Sequence, residues 1–403
     1  MHILLIHQAF AAINEPGGTR HHEMARALTK LGHKVTVIAS PISYLTGNTT
    51  TSEKKIVDDL GVTIYRTFTY HALHKSFFHR LISFFSFMFS SFFRATKVKN
   101  VDLVWGTSPP IFQGITAWLI ARLKGVPFLF EVRDLWPAFA IAVGVLQNKP
   151  IIALSQWLEK FLYKHADMVV VNSPGYIEHV SQRGAKDVQL VPNGVDTAMF
   201  DPSADGITFR KKHDLQNKFI VMYSGAHGMS NDLPIMVEAA DLLKNEEDIH
   251  FVFVGDGKEK ASLIALAEQK GLQNVLFLPP VEKLEMGQAL AAANCCVAIL
   301  KAIDMYKTTY PNKVFDYMAA GRTVMLAIDG VIREVVESAD CGIFVEPGNA
   351  QSLADAILEL YRSPKHCEAL GKHGRVYVEK NFDRLQTTKE LLKLIKSLEK
   401  KHG

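Results

Sequence analysis

FIVMYSGAHGMSNDLPIMVEAADLL, residues 219–243, is the stretch on which the fold turns. An uncharged run rich in β-branched and aromatic residues, Phe219 to Tyr223, reaches glycines at 225 and 228. Apolar residues at helical spacing follow. Strand, glycine turn and helix in that order form the unit of a parallel sheet covered on both faces. Downstream the unit recurs at HFVFVGDG (250–257), VLFLPPV (275–281), CCVAIL (295–300), TVMLAI (323–328) and GIFVEP (342–347). Upstream it recurs at HILLIH (2–7), KVTVIAS (34–40), LVWGTS (103–108), FLFEVRD (128–134), MVVVNS (168–173) and VQLVPNG (188–194), with a helix predicted around His21–Leu31. Residues 191–218, rich in Pro, Gly, Asp and Lys, break the pattern and read as a connection. The prediction is an α/β chain of two doubly wound, Rossmann-like domains, 1–200 and 201–384. Ligands are expected beyond the carboxyl ends of the strands, in a cleft between the domains. In the tail, 385–403, Leu391, Leu392, Ile395 and Leu398 have helical spacing opposite lysines, which predicts an amphipathic helix.

A chain of 403 residues accommodates two or three domains. Its mild net charge of +4 argues against a dedicated nucleic-acid binder, which concentrates basic charge on one face. The cysteines, 295, 296, 341 and 367, form no CxxC pair. That argues against a zinc or redox site and for reduced thiols in the cytoplasm. The chain opens on MHILLIH with no signal-peptide pattern, again a cytoplasmic expectation. The uncharged run 103–121 contains Gly106, Pro109, Pro110 and Gln113, which makes it a poor spanning helix.

Four motifs carry candidate chemistry. In FAAINEPGGTRHHEMARAL, Gly17 and Gly18 let backbone approach a ligand, Thr19 is placed to cap the next helix, and Arg20 and His21 stand at its start. In FLFEVRDLWP, the charges Glu131, Arg133 and Asp134 end an apolar strand ahead of Trp136, which suits a cleft mouth or a buried ion pair. Asp134 is placed to orient or deprotonate a hydroxyl. In YSGAHGMSND and again in FVGDGKEK, glycines 225, 228, 255 and 257 leave N–H groups free near helix starts, with Ser230 or Asn231 as caps: a diphosphate cradle or plain turns. In TTYPNKVFDYMAAGR (308–322), Pro311 and Asn312 open a helix on which Lys313 and Asp316 share a face. A cation and a carboxylate there suit a phosphate and a ribose diol, or form a surface ion pair.

Taken together, EPGGTRHHEMARAL, LGHKVTVIA, SPPIFQGITAWLIARLKGVPFLFEVRDLWP, VVVNSPGY, VPNGVD, FVGDG and PNKVFDYMAAGR resemble the retaining GT-B glycosyltransferases of family 4 over essentially the whole chain. The likeness is greatest to bacterial enzymes of O-antigen, capsule and exopolysaccharide assembly, including the N-acetyl-fucosamine transferase group. The resemblance implies transfer, with retention, of an N-acetylated or deoxy amino sugar from a nucleotide-sugar donor, UDP-linked, to a saccharide or polyprenyl-diphosphate-linked acceptor. It implies no cofactor and no metal. The donor set it implies is Gly17, Gly18, Gly225, His227, Asn231, Gly255, Val281, Asn312, Lys313 and Asp316. Asp134, Lys313 and Arg20 form the catalytic set, and His21, Arg133 and Trp136 face the acceptor. Asp316 falls where the family has the second glutamate of its E-x7-E motif, which binds ribose hydroxyls. The chain departs from the pattern at Thr308, where the first glutamate belongs, and at Ala226 and Asn231, where relatives place Arg and Lys. Lys313 is the best substitute cation, with Arg20 and Arg322 in reserve. A nucleotide-sugar 2-epimerase and a non-catalytic, membrane-recruiting subunit are the rival readings.

One segment stands apart. Residues 74–100, HKSFFHRLISFFSFMFSSFFRATKVKN, hold eight phenylalanines and no carboxylate. Ser76, His79, Ser83, Ser86, Ser90, Arg94 and Lys97 recur every three or four residues as one polar stripe; Phe78, Leu81, Phe85, Met88 and Phe92 lie largely opposite. The run is too short to span a bilayer. It reads either as a domain helix burying its phenylalanines, or as a helix lying on an anionic membrane at the cytoplasmic leaflet, peripheral and near a lipid-linked acceptor.

Overall fold

The computed structural model describes residues 1–15, 17–43, 46–71, 77–201 and 203–402, with side chains described except at 77, 284 and 399–402. The chain divides into two units: residues 1–12, 18–192 and 384–403 form the first, and 13–17 with 193–383 the second. Both are the doubly wound α/β units expected. The boundary falls at Pro192–Asn193 rather than at 200, so most of the segment read as a connection belongs to the second unit. The C-terminal helix is a correction too: it is part of the first unit, not a separate segment.

In the first unit the elements run β1 (His2–Ile6), α1 (Arg20–Lys30), β2 (Lys34–Ala39), β3 (Lys55–Val57), β4 (Thr63–Arg66), α2 (Phe77–Thr96), β5 (Leu103–Ser108), α3 (Phe112–Lys124), β6 (Phe128–Val132), α4 (Ala138–Ala142), α5 (Lys149–His165), β7 (Met168–Val171), α6 (Ile177–Gln182) and β8 (Val188–Leu190). The strands order β3-β4-β2-β1-β5-β6-β7-β8, all parallel except β3, which pairs antiparallel on the edge. Strand order reverses at β1, which puts α1 on one face and the crossovers after β5 and β6 on the other. Gly106 and Gly114 let α3 press close: a Cβ on either would come within 2.7 Å of Ala117 or Leu162.

In the second unit follow α7 (Ile207–Lys212), β9 (Phe219–Ser224), α8 (Pro234–Leu242), β10 (Ile249–Val254), α9 (Lys260–Gln269), β11 (Val275–Leu278), α10 (Lys283–Ala291), β12 (Cys295–Ile299), α11 (Asn312–Ala319), β13 (Thr323–Ala327), α12 (Val331–Ser338), β14 (Gly342–Phe344), α13 (Ala350–Arg362) and α14 (Pro364–Asn381). Its sheet, β11-β10-β9-β12-β13-β14, is parallel throughout. Finally α15 (Arg384–His402) packs on α1, burying the predicted Leu391, Leu392, Ile395 and Leu398. Arg384 at its start binds Glu23 of α1 at 2.8 Å, both buried. All four cysteines are buried and free.

Helix α2 divides its phenylalanines: Phe87 is core and Phe84 and Phe92 are half-buried, but the reading in which they are all buried fails at the outer face. Phe78, Ile82, Phe85, Phe89 and Phe93 are exposed, three of them by 59–68%. Ser83, Phe87, Ser91 and Ala95 face the protein instead. The serine stripe is used internally: Ser86 accepts from the Tyr70 N–H at 2.8 Å, and Ser90 donates to the Phe68 carbonyl at 2.6 Å. Arg94 lies 3.5 Å over the Tyr65 ring. His74, Lys75 and Ser76 of this segment lie outside the described residues.

Candidate functional site

The second unit builds a glycine-rich cradle at the carboxyl end of β9. Gly225 has φ +135°, and a Cβ there would lie 3.3 Å from the Lys313 Nζ. The turn is locked by its neighbour: the Gly225 N–H donates to Val254 and the His227 N–H to Asp256, while His227 accepts from the Glu259 N–H at 2.9 Å. Gly255 and Gly257, both at positive φ, allow this approach; a Cβ on Gly257 would stand 2.5 Å from the His227 carbonyl oxygen. Lys313, in the first turn of α11, donates to the Tyr223 hydroxyl at 2.7 Å, and Tyr223 donates on to the Ala226 carbonyl at 2.7 Å. Asn231 braces the same turn, its amide donating to Ala226 at 3.0 Å and its oxygen facing Lys313 at 3.5 Å.

Burial draws the Lys313 ammonium down to about 7. Burial, with Lys260 and Lys313 nearby, draws His227 down to about 4, so its fully buried ring is neutral, with neither nitrogen partnered in the protein. The same burial pushes the Tyr223 phenol far up. Lys313 therefore sits among neutral dipoles, able to gain its charge when an anion arrives, while the Lys260 ammonium nearby is held by the Gly255 and Leu278 carbonyls at 2.8 Å.

Five of the predicted donor residues converge here: Gly225, His227, Asn231, Gly255 and Lys313. Pro311 and Asn312 open α11 as expected, and the Asn312 side-chain oxygen is buried and unpartnered. Asp316 is brought to a partner that the sequence did not announce: Lys283, which opens α10 two residues after Val281, grips both its oxygens at 2.6 and 2.7 Å. Both side chains are largely buried. A hydroxyl pair approaching Asp316 thus meets a carboxylate already neutralised. Thr308 turns its hydroxyl onto the Met305 carbonyl at 2.6 Å. Arg322 is a correction, because its guanidinium binds the Ala320 and Ala293 carbonyls at the far end of α11. Neither Ser230 nor Asn231 caps α8, whose N-cap is Leu233. Ser230 instead accepts from Tyr306 at 2.6 Å. That bond ties the turn to the 301–308 loop, one wall of a cavity of about 450 Å³ that is also lined by Arg333, Phe344 and Glu346.

The first unit builds a separate buried network. Glu131, fully buried in β6, accepts from Arg20 at 3.0 Å, His21 at 2.7 Å and Trp105 at 3.0 Å. Burial alone would raise its carboxyl; His21 and Arg20 overcome that and hold it well below the ordinary range. The other Arg20 nitrogens donate to the Pro192 and Val191 carbonyls. Arg20 and His21, read as ligand-facing at the start of α1, are therefore internal struts. Thr19 donates to Glu23 rather than capping α1.

Asp134 is different: burial pushes it up to about 7 against the opposing pull of Arg133, and its Oδ1 has no partner. The Trp136 ring lies tilted against Phe112, with centroids 6.0 Å apart. His7, after β1, was not foreseen. The Gln8 N–H donates to the Gln113 oxygen, so the Gln113 amide donates to the Thr107 hydroxyl, whose own proton is left for His7 Nδ1 at 2.9 Å. His7 Nε2 then carries a buried, unpartnered proton. Gly17 has φ +143°, whereas a Cβ on Gly18 meets nothing within 4 Å.

Two doubly wound α/β units, one carrying a glycine turn around a buried lysine, define a class of two-domain Rossmann-like proteins, and comparison with known proteins gives the family. Residues 17–194 match the glycosyl transferase 4-like domain and residues 206–377 match glycosyl transferases group 1. The chain belongs to this glycosyltransferase family, and it has the GT-B fold. It is 26% identical over 386 residues to WcaI of Escherichia coli K12, a glycosyl transferase assigned to colanic acid biosynthesis, covering 92% of this chain and 93% of that one. It is 25% identical over 235 residues to the glycosyltransferase EpsD of Bacillus subtilis, covering 55% and 60%. Among solved structures, sucrose-phosphate synthase of Thermosynechococcus elongatus superposes with a TM-score of 0.80 at 19% identity, covering 98% of each chain. Anabaena HepE, solved with UDP and glucose, gives 0.74 at 17% identity, covering 98% and 99%.

Proposed function

We propose that the chain moves a sugar, an N-acetylated or deoxy amino sugar, from a UDP-linked donor to a saccharide carried on a polyprenyl diphosphate, with retention, in the assembly of a bacterial surface polysaccharide. The observation that carries this reading is the Lys313 cradle. The leaving diphosphate gains negative charge as the glycosidic bond to it breaks. Lys313 stabilises that charge more in the transition state than before it. No metal is needed for this in the proposal, because a buried lysine and fixed dipoles take that part. The cavity walled by the 301–308 loop has the volume of a small-ligand pocket and receives the donor sugar. On the first unit, Asp134 orients the incoming hydroxyl and accepts its proton, a role suited to a carboxyl that titrates near neutrality.

The surface-polysaccharide context rests on the assignments of WcaI and the UDP on the structure of HepE. The lipid-linked acceptor is supported by the exposed phenylalanines of α2, which dock the chain at the inner face of the cell membrane as a peripheral protein. Among the described residues no helix is long and apolar enough to cross a bilayer. A thermal-shift screen against UDP-, GDP- and ADP-sugars tests the donor. Stabilisation by UDP and one UDP-amino sugar is expected, because a ligand raises melting in proportion to its occupancy of the folded state. Stabilisation by a purine nucleotide alone would refute the UDP assignment, and no response to any nucleotide would refute the donor site.

A further inference from the structure

We infer that the first unit rests on an anionic bilayer through three helices lying side by side, α2, α3 and α5, rather than through α2 alone. This deepens the docking role given above to residues 74–100, and its test separates the two. The three helices form one layer. Thr116 of α3 donates to the Met88 carbonyl of α2 at 3.0 Å, and Phe112 meets Phe85 at 5.1 Å. On the other side, Trp118 of α3 packs edge-on against Phe161 of α5 at 4.9 Å. Their inward faces are spent on the sheet and on each other. Their outward faces are apolar: besides the five residues of α2, Leu119 and Leu123 of α3 and Leu154 and Trp157 of α5 are exposed. Half of the 18 exposed large apolar side chains among the described residues lie on these three helices. Water-soluble surfaces scatter such residues singly; a continuous patch of them marks a contact surface.

Charge selects the occupant. Arg122, Lys149, Lys160 and Lys164 stand exposed on or beside this face. The one carboxylate on the three helices, Glu159, is buried beneath His179 and Arg183 at 2.8 and 3.1 Å. A second copy applying the same face would oppose cation to cation, since a two-fold contact pairs a patch with itself. Anionic headgroups instead satisfy the lysines while the acyl boundary takes the phenylalanines, and a tryptophan such as Trp157 favours that interface. The arrangement also has a consequence for substrate. Helix α2 follows β4 and so begins at the carboxyl edge of the sheet, where Ser83 and Phe84 border a narrow crevice with Gln8, Ser40 and Thr69. A sugar presented from the bilayer surface meets that edge first.

The test uses the full chain and vesicles of phosphatidylcholine alone or mixed equally with phosphatidylglycerol. Two double variants are compared, Phe85→Ser/Phe89→Ser on α2 and Leu123→Ser/Trp157→Ser on α3 and α5, each checked for an unchanged melting temperature. Wild type is expected to sediment with the anionic vesicles only. Each double variant is expected to lose on the order of tenfold or more in partitioning, the scale set by exposing one or two large apolar groups. If only the α2 variant loses binding, the three-helix surface is overturned and docking by α2 stands. If wild type ignores both vesicles, both ideas fall. A concentration-dependent dimer abolished by Leu123→Ser/Trp157→Ser, with no vesicle binding, would assign the face to a second copy and overturn the inference.

Discussion

Lys313 makes a prediction about protons. With its ammonium drawn down to about 7 by burial, the free protein at pH 8 holds this side chain about nine-tenths neutral. A diphosphate seated on the Gly225 turn places opposite charge within contact distance and raises the ammonium by ~1–3 units. Binding UDP at pH 8 should then draw about 0.4 to 0.9 proton from solution, depending on the size of that rise, and UDP affinity should fall by up to about tenfold per pH unit above 7 until the raised value is reached. The sign follows from the lowered folded value. Between about 7 and the ordinary lysine range the unfolded chain binds the proton and the folded chain does not, so the free protein gains stability as pH rises through that window. Ligand binding, which needs the charged form, moves the opposite way.

Two close neighbours cannot mimic the effect: His227 titrates near 4 and Tyr223 far above the range. The secondary phosphate proton of UDP, with a pKa of about 6, is already lost at pH 8. The assay is titration calorimetry at pH 8 in two buffers of different ionisation enthalpy, repeated with Lys313→Met. Uptake of about 0.4 to 0.9 proton in wild type and near zero in the variant is expected. Tight UDP binding with no proton uptake and no pH dependence between 7 and 9 would refute the claim that Lys313 is the charge-supplying group.

Lys313→Ala should lower kcat by ~10²–10³ while donor KM rises far less, the pattern of a group that acts mainly in the transition state; steady-state kinetics decides it. Glu131→Gln strands the Arg20 guanidinium without its carboxylate, and breaking a buried pair of this kind costs about 3–5 kcal/mol. In thermal melts that is a loss of roughly 10 °C. Gly257→Ala pushes a methyl into the His227 backbone at positive φ and should abolish UDP-dependent stabilisation, whereas Gly18→Ala, with open space around it, should stay within about 0.5 kcal/mol of wild type. Asp134→Asn should remove a pH-rate limb near 7 without changing donor binding, which a rate profile and a UDP titration together check.

The fold was legible because its evidence is local. Each central strand is a run of apolar residues bounded by a turn, and periodicity alone finds it. The short edge pair β3 and β4 was not found, because 3- and 4-residue strands with half-exposed side chains carry no such run. The cradle of the second unit was readable as far as its glycines and Lys313. Lys283 was not readable: it sits 33 residues from Asp316, on another helix, and nothing in either local sequence announces the pair. The first unit misled at Arg20 and His21, where polar residues after a glycine turn look like ligands. Only the three-dimensional position of Glu131 shows them turned inward. Helix α2 misled on one reading through its composition, since serine looks like a solvent face until the 67–70 loop supplies acceptors and donors for it.

The departures from the family pattern combine into a single rearrangement of charge. Where relatives set an Arg and a Lys after the first glycine turn, this chain has Ala226 and Asn231. The structure brings one cation to this turn from a different element: Lys313 of α11 reaches Gly225 and is braced by Asn231. A loop cation stays hydrated and charged at rest. A cation delivered from a helix start, packed 3.9 Å above the Tyr223 ring, is desolvated and surrenders part of its charge until an anion restores it. The second cation, Lys283, enters from α10 and is spent on Asp316. The shortened carboxylate and its lysine then act as a neutral pair where the family sets a free glutamate. In the proposed donor site the charge available to a bound nucleotide is therefore concentrated at the diphosphate end, and the ribose end is read by a group whose charge is already cancelled.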